Sequence, residues 1–345
     1  MVPIRMRKST QQAHPDKHVS ICRLITSLIL AIYILCFPCA SHAQKTIVVI
    51  PKATILNFWK IVCTGAHEAI KDHDINLIWR GPRVENRAKA QQYLLKHYTK
   101  QKVDAIVLAP ADKTALNKDI EKAVNAGISV IVIDSPVTTD SPHCYIATNN
   151  YKAGEHGAEL LFENIKNKGS LLLVGHASTN GASFSRENGF INRIAQLDPG
   201  RTIIRLHMRD GSARETRIAV EEILSTIPDI AGIFAVNEPT SDGVLHVLEK
   251  QIEQNIPFVA SDYNKKLLQG IKNNKIQALI TQKPYAMGYF GIKTAVDLIN
   301  GINIPKQMES PTTIITKDNL ELSLTLRCLR KLSTDEKSHC AICFN

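Results

Sequence analysis

The sequence predicts an α/β protein built as two lobes with parallel sheets and a cleft between them. Three observations carry this. About ten short apolar runs alternate with stretches of helical period. The runs are continuous rather than alternating, as in GISVIVIDSP, IAGIFAVNEP, IPFVASDYN and QALITQKPY. Such runs mark parallel strands buried on both faces. Ten strands are also too many for one comfortable open sheet in a chain of 345 residues. Two lobes of five or six strands follow.

The elements can be taken in order. TIVVIP (46–51) runs into FWKIVCTGAHEAIKDH. INLIW precedes RVENRAKAQQYLLKHYTKQ, and DAIVLAP precedes KTALNKDIEKAVNAG. SVIVID leads into a turn, and CYIAT into YKAGEHGAELLFENIKN. SLLLVG, TIIRLHM, AGIFAV, PFVAS and QALIT each precede a further amphipathic stretch. Repetition of the βα unit argues for doubly wound sheets. The natural break lies near PVTTDSPH and CYIATNN, with no long flexible linker there, so short segments should join the lobes and act as a hinge.

The first 43 residues belong to neither lobe. Arg5, Arg7, Lys8, Lys17 and Arg23 face one acid, Asp16, and the apolar run LITSLILAIYILCF follows. PCASHA then places Ser41 and Ala43 as a small-residue cleavage signal. The run has 14 residues, against the ~20 that span a bilayer, so a leader cleaved after Ala43 is expected. Its removal lowers the net charge from +10 to 37 cations against 31 acids, or +6. The remaining Lys and Arg are scattered along helices, as on a solvated surface. Nucleic acid is not the expected partner.

Five cysteines follow the leader: Cys63, Cys144, Cys328, Cys340 and Cys343. The first two sit in core-like patterns. HCAIC is a lone C-x-x-C, a weak metal signal without a second pair. The segment 328–345 lacks periodicity and reads as an accessory tail.

Polar side chains stand where the apolar runs end: Asp134, Asn237, Asp262 and Gln282. Ligands of open α/β sheets bind outside the carboxyl ends of the strands. Carboxylates accept hydroxyl hydrogens, and amides both donate and accept. Arg186, in SFSRENGF, offers a planar donor fork, while Phe58 and Trp59 offer flat apolar faces. A sugar ring, polar at its rim and apolar on its faces, suits that set. Each residue has a plainer alternative. The aspartates could cap helices, Asn237 could shape a turn, the aromatics could be core, and Arg186 could pair on the surface. Enzyme signatures are missing: there is no G-x-S-x-G, H-E-x-x-H or P-loop, and VGHASTNGAS lacks dinucleotide spacing. No cofactor and no catalytic activity are expected.

NFWKIVCTGAHEAI, DAIVLAPADKTAL, GISVIVIDSP, ATNNYKAGEHGAELL, SFSRENGF, IFAVNEPTSDGVL and ITQKPYAMGYFGIKTAVDLI together resemble the ribose-type periplasmic sugar-binding proteins of ABC importers. The resemblance covers about residues 45–320. It implies the type I periplasmic binding fold, with two Rossmann-like lobes, a three-stranded hinge and the ligand between them. The lobes would hold 45–148 plus 283–311 and 149–282 plus 312–327. It assigns sugar stacking to Phe58 and Trp59, and hydrogen bonding to Asp134, Arg186, Asn237, Asp262 and Gln282. Two positions depart from the pattern. Ser135 stands where ribose binders carry an arginine, and Ala109 replaces a polar residue before Pro110. A sugar other than ribose, or a related polyol, fits better. The implied protein is a periplasmic monomer that delivers its ligand to an ABC transporter permease. A sensory module feeding a chemoreceptor or sensor kinase is the alternative.

Overall fold

The computed structural model describes residues 44–321, apart from 177, 178, 210 and 252–254. The expected leader and tail, with Cys328, Cys340 and Cys343, lie outside the described residues. Within them stand two six-stranded sheets. The first contains β1 (Lys45–Ile50), β2 (Ile75–Trp79), β3 (Ala105–Leu108), β4 (Ser129–Ile133), β5 (Cys144–Thr148) and β11 (Gln307–Ser310). Its order is β11-β5-β4-β3-β1-β2, all parallel. The second contains β6 (Ser170–Gly175), β7 (Ile203–His207), β8 (Ile230–Ala235), β9 (Phe258–Ser261), β10 (Ala278–Thr281) and β12 (Thr313–Ile315). Its order is β12-β10-β9-β8-β6-β7, parallel except for the β10–β12 edge. This is the expected two-lobe α/β architecture. β11 and β12 are two short edge strands that no apolar run announces.

Helices cover both faces of each sheet. In the first lobe, α1 (Asn57–Ala69) and α9 (Pro284–Ile299) bury Trp59, Val62, Ala66, Met287 and Ile292 against Ile47, Val49, Val107, Ile131 and Ile133. On the other face, α2 (Ala88–Gln101) and α3 (Asn117–Asn125) bury Leu95, Tyr98 and Ile120 against Val48, Ile50, Ile106 and Leu108. Successive residues of one strand thus serve opposite layers, as the pleat requires. The second lobe repeats the plan. There α4 (Asn150–Phe162) and α5 (Gly181–Leu197) cover one face, and α6 (Ala213–Thr226), α7 (Glu238–Lys250) and α8 (Lys265–Lys272) the other. Cys63 and Cys144 are buried in the first lobe.

The chain passes between the sheets three times: from β5 into α4, from β10 into α9, and from β11 to β12. The second passage carries α9 back onto β3, β4 and β5.

The helix pairs that flank the cleft touch backbone to backbone. A Cβ on Gly154 of α4 would land on the Arg186 carbonyl oxygen of α5, and one on Gly189 would land on that of Tyr151. Gly65 of α1 and Gly288 of α9 make the same reciprocal contact with Tyr285 and Val62. This close approach sets where Arg186 and the α1 aromatics stand. In an exposed helix, Gly→Ala stabilises by about 1 kcal/mol. At Gly154 the sign should invert. Gly154→Ala should destabilise by about 1–3 kcal/mol in urea unfolding, because the new methyl group wedges α4 from α5.

Candidate functional site

Asp134 follows β4 and Asp262 follows β9, one in each lobe. Both take the left-handed conformation, with φ of 67° and 63°. Their backbone N–H groups donate to equivalent partners on the neighbouring strand, Ile146 O at 3.0 Å and Ile280 O at 2.9 Å. Such a conformation costs a non-glycine residue about 1–3 kcal/mol and persists only where the surroundings enforce it. Here it turns the two carboxylates into one cavity. Neither aspartate is the N-cap of the helix that follows it in the chain; Asn264 caps α8.

The cavity holds about 350 Å³ of empty space, part of it open to solvent. The first lobe lines it with Lys52, Leu56, Phe58, Trp59, Glu85 and Asp134. The second contributes Asn180, Ser183, Arg186, Asn237, Glu238, Asp262 and Gln282, among others. Seven of the eight residues singled out from the sequence therefore meet at one place.

Each of the two aspartates has a cation. Lys52 Nζ lies 2.6 Å from Asp134 Oδ2. Arg186 Nη1 lies 3.9 Å from Asp262 Oδ2 and donates to the Val236 carbonyl, while its Nε donates to Asn150 Oδ1 at 2.9 Å. Gln282 Nε2 donates to Asp262 Oδ1 at 2.8 Å, and the Glu238 N–H donates to Asp262 Oδ2 at 3.0 Å. Burial pushes the Asp262 carboxyl above its ordinary pKa, and the Arg186 charge and the Gln282 amide pull it back. The surface-pairing alternative for Arg186 fails, since it is buried in the site wall.

Ser135 does not line the cavity. Its hydroxyl stands behind the wall, accepting from Lys52 Nζ at 2.5 Å and donating to Asp134 Oδ2 at 3.1 Å. The cation missing at position 135 is supplied by Lys52 from the end of β1. Sequence reasoning passed over Lys52, Glu85 and Glu238. The available signal was position: Lys52 sits two residues past β1, at the same sheet edge as the aspartates.

Asn237 is both cavity wall and helix cap. Its Oδ1 accepts from Thr240 N at 3.2 Å and its backbone N–H donates to Thr240 Oγ1 at 3.2 Å, completing a capping box on α7. Phe58 and Trp59 are likewise both wall and core, their rings edge-to-face with centroids 4.9 Å apart. Trp59 Nε1 donates to Glu85 Oε1 at 3.0 Å.

The lobes are closed on each other around this cavity. Lys113 N donates to Thr179 O at 3.1 Å, Asn86 Nδ2 to Arg209 O at 2.9 Å, and Asn57 Nδ2 to Tyr263 O at 3.3 Å. Lys52 Nζ also reaches Asn180 Oδ1 at 3.3 Å. Enclosed in this way, Gln282 Oε1 is buried with no hydrogen-bond partner among the described residues. Such an orphan acceptor calls for a donor. Among the described residues no cluster of His, Cys, Asp and Glu suits a metal ion, and no helix is long and apolar enough to cross a membrane.

Residues 47–303 match the family model of the periplasmic binding protein domain. The chain belongs to this family. It is 26% identical over 234 residues to the ribose import binding protein of Bacillus subtilis, covering 68% of this chain and 75% of that protein. It is 23% identical over 318 residues to the D-ribose/D-allose-binding protein of Pseudomonas aeruginosa, covering 87% and 99%. Among solved structures, a carbohydrate transporter solute binding protein from Agrobacterium radiobacter in complex with D-arabinose superposes with a TM-score of 0.80 at 27% identity, covering 84% of this chain and 99% of that one. An ABC transporter solute binding protein from Agrobacterium vitis with bound alpha-D-tagatopyranose has a TM-score of 0.77 at 27% identity, covering 82% and 98%. These comparisons bear out the ribose-type periplasmic binding protein read from the sequence.

The double duty of Trp59 can be tested. Trp59→Ala should cost about 3–5 kcal/mol in urea unfolding without any ligand, since it empties a 1%-exposed position in the first-lobe core. A residue that only stacked on a ligand would show little loss.

Proposed function

We propose that this protein captures a single monosaccharide or related polyol between its lobes and delivers it to an ABC transporter permease. One observation carries the reading: Asp134 and Asp262, from equivalent strand ends of opposite lobes, face one cavity between the lobes, each held by its own cation. The two carboxylates and Gln282 Oε1 would accept along the rim of the ligand, and Lys52 and Arg186 would donate. Phe58 and Trp59 would lie against its C–H faces. The cavity is small, which favours one ring over an oligosaccharide. Each cation–carboxylate pair is neutral overall, which suits an uncharged guest.

The open form would expose both half-sites to water, and a ligand touching both halves would draw the equilibrium to the closed form. The hinge would be the three passages between sheets, with lobes of 45–148 plus 283–311 and 149–282 plus 312–327. The names of the relatives support import as the setting: they include import binding proteins and ABC transporter solute binding proteins. The mature chain would act as a periplasmic monomer, released by cleavage after Ala43, without catalysing a reaction.

Calorimetry against D-ribose, D-allose, D-arabinose, D-tagatose and xylitol tests this. At least one should bind with a 1:1 stoichiometry. Truncating one member of a buried charge pair costs about 2–5 kcal/mol of binding, so Arg186→Ala and Asp134→Ala should each lose at least ~30-fold in affinity. Unfolding should remain cooperative in both. Affinity unchanged in both variants would overturn the assignment of the site.

A further inference from the structure

Helix α1 begins the aromatic wall of the cavity, and its first turn needs hydrogen-bond acceptors. Its own N-cap residue, Leu56, has no side-chain acceptor, and the first turn holds no acid. The acceptor comes from the opposite lobe. Glu238, the first residue of α7, accepts from the Phe58 N–H through Oε2 at 3.2 Å. Its other oxygen accepts from Asn264 Nδ2 at 3.3 Å, and its backbone N–H is bonded to Asp262. Glu238 is itself buried and lines the cavity.

We propose that Glu238 is the clasp between the lobes: a helix cap for α1, delivered from the second lobe, that forms only on closure and ties closure to the protonation of one carboxyl. Asn57 Nδ2 bonding to Tyr263 O, one residue earlier in the helix, docks the same helix end on the same lobe. The clasp holds Phe58 in place and contacts Asp262, so it acts through both halves of the site. It is a positioning residue within the proposed sugar-binding reading, but its formation does not require that the guest be a sugar.

Closure takes Glu238 out of water. That burial pushes its carboxyl up from 4.5 to about 7, against the pull of the Asn264 and Phe58 hydrogen bonds. Asp262 at the end of β9 and Asp242 on α7 push in the same direction as burial. Lys52, Glu85, Asp134 and Arg186 face the same cavity. In the open form the group returns to the ordinary carboxylate range. The closed form therefore has the higher pKa. It takes up a proton between roughly pH 4.5 and 7, and closure weakens as pH rises through 7. His176, buried across the interface 3.4 Å from Glu85, has its pKa lowered chiefly by burial and titrates in the opposite sense. The Glu238 effect is thus read as a difference between variants.

The test is hydrogen exchange of the Phe58 amide in the ligand-free protein, corrected for the intrinsic rate at each pH. Glu238→Ala should lower Phe58 protection about fivefold, the worth of a helix cap. Glu238→Gln keeps an acceptor and removes the titration. Protection in the wild type relative to Glu238→Gln should fall about tenfold from pH 5.5 to 8. Protection unchanged in Glu238→Ala, or parallel pH profiles in wild type and Glu238→Gln, would overturn the clasp. Failure of every sugar to bind would count against the proposed function and leave this result standing.

Discussion

Two carboxylates enclosed between two lobes are costly unless each has a cation and a full set of hydrogen bonds. This constraint organises the centre of the protein. Asp134 is paired with Lys52 and braced by Ser135; Asp262 is paired with Arg186 and braced by Gln282 and the start of α7. The two partners are not alike. Lys52 arrives from the end of a strand in the same lobe and is steadied across the cleft by Asn180. Arg186 arrives from a helix and spends two of its donors on its own lobe. Among the described residues the set is satisfied except at one atom, Gln282 Oε1. On the proposed reading, a hydroxyl of the guest fills that gap.

The same geometry depends on how tightly the flanking helices cross. Reciprocal glycine contacts bring α4 onto α5 and α1 onto α9. These are the helices that carry Arg186 and the aromatic pair, so the site geometry depends on how the helices behind the cavity wall pack. The two lobes solve the same problem twice: a strand ending in a left-handed aspartate, beside a glycine-mediated helix crossing. They differ in their helix ends. The second lobe caps α4, α5, α6, α7 and α8 with Asn149, Asn180, Ser212, Asn237 and Asn264, whereas α1 of the first lobe has no cap of its own.

Most of the architecture was legible because central parallel strands are apolar throughout, and the polar residue ending each run stands out. Gln307–Ser310 and Thr313–Ile315 were not legible. They are short edges, one of them half polar, and pairing rather than composition makes them strands. At the cavity, residue type and strand-end position together pointed to Asp134, Asn237, Asp262 and Gln282, and residue type alone to Arg186. They were not enough for Lys52, because a lysine near a strand end ordinarily faces water and nothing periodic links it to an aspartate 82 positions away. Nor could they show that Ser135 stands behind the wall, or that Glu238 reaches the other lobe. Those depend on how the lobes meet. The aromatic pair was read as either stacking platform or core, and the structure makes each ring a part of both the core and the cavity wall.

A crystal structure of the mature chain with a bound monosaccharide tests the central claim most directly. One sugar ring should lie enclosed between the lobes, with hydroxyls on the carboxylates of both Asp134 and Asp262 and a donor on Gln282 Oε1. A ring held by one lobe alone, or seated away from these two carboxylates, would contradict it.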